Sequence, residues 1–286
     1  MRVLFCTDGS KISHNAIRNF SNFAGKNTIV DTICVIDWSF LPDDAVIEDS
    51  GFAGSCRNVA DGILEFSKKL IEENNLTNGE QIKHCGAAVE SILEQLNENI
   101  YDYIVMGSHG KKGFQRWLGS VSREVLESTN IPIYISKEKH QNQNILFTTD
   151  GSEISYQITT ECIKKLNLEN KNIYICTAAE NPDLLFLEGT LDANWLMAIQ
   201  NQQQIYAEKS IEKIKKLFEE KSLNIKETKV LNGSAAQSII DYAKEESIDL
   251  IVMGSRIKTK LQNFLLDSVS KRVIEHSNSD TLIIKK

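Results

Sequence analysis

Residues 3–13 read VLFCTDGSKIS, and residues 145–155 read ILFTTDGSEIS. In both, a branched apolar run ends in Thr-Asp-Gly-Ser and a helical pattern follows. Two further stretches return in the same order. DYIVMGSHGKK at 102–112 comes back as DLIVMGSRIKT at 249–259, and GSVSREVLES at 119–128 comes back as DSVSKRVIEH at 267–276. A kept order at a long, nearly constant offset marks a duplicated domain, not a short stacked repeat. The expected domains are 1–138 and 143–286, joined through the polar stretch KEKHQNQN at 137–144.

Working outward, each half alternates short apolar runs with helical patterns. The first half places strands at 2–6, 28–36, 81–85, 103–107 and 131–136, with helices near 11–25, 56–75, 88–99 and 119–128. Ile92, Leu93, Leu96 and Ile100 recur at helical spacing. The strands are continuous apolar runs, the pattern of parallel strands covered on both faces by helices. Alternation of strand and helix then gives right-handed crossovers and an α/β fold of two tandem doubly wound domains. Ligands of such sheets bind beyond the carboxyl ends of the strands, near the switch in strand order.

Composition limits the functions. A chain of 286 residues with 41% hydrophobic and 25% charged residues has the balance of a globular protein. A net charge of −7 argues against nucleic acid as a partner, since that needs basic surface. No run is apolar for long enough to cross a membrane, and the start MRVLFCTDGS does not read as a signal peptide, so a cytoplasmic location is expected. The six cysteines form no C-x-x-C pair and read as reduced thiols, with no metal site implied.

After the fourth strand comes a loop with Gly107, Gly110 and Gly113, and Gly119-Ser120-Val121 then opens a helix. Glycines let a ligand approach the backbone closely. A helix start offers free N–H groups and a partial positive charge, which suit phosphate. Neither a dinucleotide fingerprint nor a Walker A loop is present. Ser10 and Ser120 lack the G-x-S-x-G context of a nucleophile, and Trp38 with 40–44, like 181–197, forms a long connection after a second strand.

TDGS after the first strand, VID at 35–37, MGSHG at 106–110 and GSVS at 119–122 together resemble the universal stress protein family, and the whole chain resembles its tandem members. The resemblance implies a five-stranded parallel sheet of order 3-2-1-4-5 in each half and a nucleotide loop of pattern G-x2-G-x9-G-[ST]. It implies that Asp8 and the backbone of Val35 surround adenosine. Met106 and Gly107 would border the ribose and first phosphate, Gly110, Gly119, Ser120 and Val121 would wrap the phosphates, and Ser108 and His109 would also line the nucleotide site. Eight residues separate Gly110 from Gly119, one fewer than the pattern.

The second half keeps the nine-residue spacing but carries Ile257 and Asp267 where the first has Gly110 and Gly119. A β-branched residue fits left-handed backbone poorly, and a carboxylate repels phosphate while capping a helix well. The expected function is therefore a non-enzymatic stress-response protein that binds ATP, with or without magnesium, or AMP or ADP, in the first domain. Slow hydrolysis is left open, and so is a protein partner. The alternative is an interaction module of the same fold that binds no nucleotide. By the same resemblance, the apolar edge strands at 131–136 and 280–285 would pair as an intramolecular pseudo-dimer, with a homodimer of chains also open.

Overall fold

The computed structural model describes residues 1–25, 27–37, 50–110, 118–138, 143–179, 193–255 and 268–286, with side chains left aside at 50–57, 193–194 and 196. The chain divides into two compact units, one built on Met1–His140 and the other on Gln141–Arg256 and Leu266–Ile284.

The first unit runs β1 (Arg2–Thr7), α1 (Lys11–Ser21), β2 (Ile29–Ile36), α2 (Ser50–Glu73), β3 (Thr77–Cys85), α3 (Ala88–Glu98), β4 (Tyr103–Gly107), α4 (Ser120–Ser128) and β5 (Ile133–Ser136). Its strands lie in the order β3-β2-β1-β4-β5, and each pairing is parallel. The second unit runs β6 (Asn144–Thr148), α5 (Glu153–Lys165), β7 (Asn172–Ala179), α6 (Ala193–Glu219), β8 (Ile225–Asn232), α7 (Ala235–Glu245), β9 (Leu250–Ser255), α8 (Ser268–His276) and β10 (Asp280–Lys285). Its order, β10-β9-β6-β7-β8, is the same winding, with β6 parallel to β7 and β9 and β7 parallel to β8. The expected doubly wound α/β fold and strand order are thus present in each unit.

The apolar runs do what continuous apolar runs must. Val3, Leu4 and Phe5 are all fully buried, so successive side chains on opposite faces of β1 both meet helices. Helix α1 buries Ala16, Ile17 and Phe20 as one stripe, and the Phe20 ring meets Tyr134 edge-on at 5.4 Å. In the second unit Phe147 meets Phe218 in the same way at 4.8 Å. Such pairs add about 0.5–1.5 kcal/mol beyond the area they bury.

The amino ends of the first unit's strands hold a buried polar cluster. Asp31 of β2 is 1% exposed. Its Oδ2 accepts from Arg2 Nε at 2.7 Å and from the Tyr101 hydroxyl at 3.0 Å, and its Oδ1 accepts from Glu80 N–H at 2.9 Å. Gln95 Nε2 donates to the Tyr101 oxygen at 2.8 Å. Burial, together with the Asp31 charge, pushes the Tyr101 phenol up to about 12. This cluster explains one departure from the sequence reading. β3 begins at Thr77, not 81, because TNGE reads as a turn, yet Gly79 leaves room for the Asp31 carboxylate and lets the edge strand continue. A register shift between Val30 and Thr32 accompanies it. Likewise α1 stops at Ser21, not near 25, where the Asn22 side chain turns back to the Arg18 carbonyl at 2.9 Å. Helix α2 begins at Ser50, ahead of the expected 56.

Cys6, Cys34, Cys162 and Cys176 are buried thiols outside any disulfide. Cys85 is disulfide-bonded, which corrects the reading of all six as reduced. It ends the half-exposed edge strand β3 after polar neighbours, and is not enclosed in an apolar strand as Cys6, Cys34 and Cys176 are.

Candidate functional site

In the first unit the crossovers leave β1 and β4 in opposite directions, so a crevice opens at their carboxyl ends. Pairing of Cys6 with Met106 and of Gly107 with Ser136 brings Thr7, Gly107 and Ser136 level there.

The turn after β1 is fixed by its own side chains. Thr7 Oγ1 accepts from Gly9 N–H at 3.1 Å and shares a hydrogen with Ser13 Oγ at 2.9 Å. Asp8 Oδ1 accepts from Ser10 N–H at 2.9 Å, and Ser10 caps α1 by accepting from Ser13 N–H at 3.2 Å. Gly9 has φ +73°, and a Cβ there would stand 2.8 Å from Ile63 Cγ1. Gly9→Ala is therefore expected to lower stability by about 1–2 kcal/mol from the left-handed backbone alone. A denaturant midpoint checks this, and an unchanged midpoint would contradict it.

Gly107 closes β4 against α1, since a Cβ there would lie 2.9 Å from Ile12 Cγ2 and 3.1 Å from Ser13 N. Ser108 follows, fully buried. Its N–H donates to Ser136 O at 2.7 Å, its carbonyl accepts from Gly119 N–H at 2.6 Å, and its hydroxyl meets His109 Nδ1 at 3.0 Å. The loop therefore leaves and returns at one point. Gly119 presses on that point: a Cβ would be 3.3 Å from His109 Cα. Ser122 Oγ donates to Gly107 O at 2.8 Å and ties α4 to the end of β4. Gly119 is the N-cap of α4 and supplies no side-chain hydrogen bond, so Ser120 and Val121 open an uncapped helix. Gly110 faces Asp8, with its Cβ position 2.5 Å from Asp8 Oδ2.

The structure thus gathers Asp8, Gly107, Ser108, His109, Gly110, Gly119, Ser120 and Val121 around one crevice. Met106 is buried in β4. Val35 stands on β2, one residue past the Cys34 that pairs with Thr7. Residues 111–117, which hold Lys111, Lys112, Gly113 and the shortened spacing, lie outside the described residues, as do Trp38 and 40–44.

His109 is 9% exposed. Burial is the main cause that holds its imidazole below the usual value; Lys137 acts the same way and Asp8 opposes it. Lys137 is the residue the sequence reading missed, because it was assigned to the seam. It directly follows β5 and is 5% exposed. The rule that function sits just past a parallel strand, applied to β5 as to β1 and β4, would have found it.

The second unit repeats the supports. Thr149 Oγ1 meets Ser155 Oγ at 2.9 Å, Ser152 caps α5, and Ser270 Oγ donates to Gly254 O at 3.3 Å. Ile257 and Asp267 lie outside the described residues. Among the described residues, no three His, Cys, Asp or Glu side chains gather as a metal site, and no helix is long and apolar enough to cross a membrane.

A doubly wound α/β protein with a crevice where β1 and β4 part is the class that this geometry defines. The sequence profile described as the Universal stress protein family matches it twice, over residues 1–137 and 141–285, and the chain belongs to that family. Universal stress protein MJ0531 of Methanocaldococcus jannaschii is 31% identical over 147 residues, covering 50% of this chain and 82% of that one. A universal stress protein of Synechocystis is 21% identical over 229 residues, covering 78% of this chain and 71% of its own. The crystal structure of a universal stress protein from Archaeoglobus fulgidus matches with a TM-score of 0.70 at 21% identity, covering 99% of this chain and 98% of that chain. At that identity the likeness concerns the fold.

Proposed function

We propose that the chain is a stress-response protein that binds ATP, or a related adenine nucleotide, in the crevice of its first domain, 1–138. The observation that carries this reading is the uncapped start of α4 at Gly119. First-turn N–H groups of a helix need acceptors, and a phosphate satisfies them while matching the helix dipole. The glycines agree with such a ligand. A side chain at 119 would press on the His109 backbone and one at 110 on the Asp8 carboxylate, so both positions keep the crevice open. In this reading Asp8 and the backbone of Val35 surround adenosine, Met106 and Gly107 border the ribose and first phosphate, and Gly110, Gly119, Ser120 and Val121 wrap the phosphates. Magnesium, when it enters with ATP, is held chiefly by phosphate and water.

Within this reading the protein acts by binding its ligand, and slow hydrolysis is no part of that role. The Ser108 hydroxyl contacts His109 and is fully buried, so it is not presented to a substrate. Nucleotide occupancy then alters conformation or the choice of a protein partner, and the second domain has a structural or regulatory part. The test is mass spectrometry of the small molecules released on denaturing protein purified without added nucleotide, followed by titration with Mg-ATP. The expected result is a retained or titratable adenine nucleotide. Finding neither would sink the proposal in favour of an interaction module that binds no nucleotide.

A further inference from the structure

We propose that nucleotide binding in the first unit is coupled to proton uptake by His109, so that the crevice takes up a polyphosphate and a proton together. This rests on the nucleotide reading above and adds a regulation to it.

The geometry puts one imidazole among three influences. His109 lies under the opening of α4, with Gly119 packed on its backbone. The dipole of that helix start disfavours a cation there. Lys137, from the end of β5, adds a second positive charge, and Asp8, from the end of β1, supplies a negative one. The first turn of α4 contributes no carboxylate. Burial completes the balance: an imidazolium that is 9% exposed loses most of its hydration. In the free chain the neutral ring is favoured.

A polyphosphate seated at Gly119 reverses that balance. It neutralises the helix start and Lys137 and brings negative charge next to the ring, which raises the affinity of His109 for a proton. The Ser108 hydroxyl allows both states. It donates to Nδ1 of a neutral ring that carries its hydrogen on Nε2, and it accepts from Nδ1–H of the cation, so protonation costs no hydrogen bond. The proton comes from solvent and ends on a ring nitrogen, and no bond to the nucleotide changes.

The sign follows by linkage. A group that binds its proton more tightly in the complex makes affinity rise as pH falls through its pKa in the complex, levelling below its pKa in the free chain. A single site limits the slope to about tenfold per pH unit. Protonation of the nucleotide itself is common to all variants and cancels in their comparison.

The experiment is calorimetric titration of the full chain with Mg-ATP at several pH values, each in buffers of different ionisation enthalpy. The slope of observed heat against buffer enthalpy counts the protons taken up. The expected result is uptake of a fraction of one proton near neutral pH, lost in His109→Asn, which keeps a polar group towards Ser108. Lys137→Met supplies a second readout, since removing that charge shifts the His109 NMR titration of the free chain to higher pH. Binding without uptake, uptake unchanged in His109→Asn, or a His109 titration unmoved by Lys137→Met overturns the inference while the nucleotide reading stands. Absence of Mg-ATP binding at every pH overturns both.

Discussion

Replacing Gly110 by Ile, the residue that stands at position 257 of the second repeat, is expected to weaken adenine-nucleotide binding by at least about 100-fold, or about 2.7 kcal/mol. The reason is space. A Cβ at 110 falls 2.5 Å from Asp8 Oδ2, and Asp8 cannot simply withdraw, because its other oxygen holds the Ser10 N–H that starts α1. A branched side chain therefore either drives Asp8 out of the crevice or pushes the loop off it, and both remove groups assigned to the ligand. Gly110 is exposed, so the fold itself should change by no more than about 0.5 kcal/mol. Calorimetry with Mg-ATP, paired with a thermal melt, separates the two effects. Undiminished binding in the folded variant would contradict the role given to Gly110.

The largest effect on stability is expected from Asp31→Ala, at the far end of the same sheet. Asp31 accepts from the Arg2 guanidinium, the Tyr101 hydroxyl and the Glu80 amide, all against a carboxylate 1% exposed. Its removal leaves a phenol and an amide without their acceptor and leaves the Arg2 guanidinium only the more distant Glu80 carboxylate at 3.9 Å. Breaking a buried ion pair from one side costs about 3–5 kcal/mol. Arg2 is partly exposed and can turn to water, so the lower end of that range is expected. A denaturant titration measures the change. Arg2→Ala should cost less, because solvent and the Tyr101 and Glu80 donors still serve Asp31. A change below about 1 kcal/mol for Asp31→Ala would show that the cluster relaxes without consequence.

Much of this fold was legible because its strands are buried on both faces. Runs such as RVLFC and YIVMG admit few other readings, and the duplication doubled the signal. Edge strand β3 was read short because its stability comes from pairing with β2 and from room at Gly79, which periodicity does not register. In the site, the glycines are legible, but left-handed backbone is not the reason for Gly110: its φ is not positive, and glycine is needed there for closeness to Asp8. Left-handed backbone belongs instead to Gly9 and Gly151, in the TDG turns. Lys137 was hidden because its importance comes from the parallel sheet that levels the ends of β4 and β5, and no local motif marks it.

The proposal that the first repeat holds a nucleotide and the second does not is open to a direct test. The most direct measurement is the stoichiometry of Mg-ATP binding to the whole chain by calorimetry. The expected result is one nucleotide per chain, lost in Gly110→Ile and kept when Ile257 and Asp267 are both replaced by Ala. No binding, or binding that survives Gly110→Ile and is lost with the second-repeat changes, would contradict it.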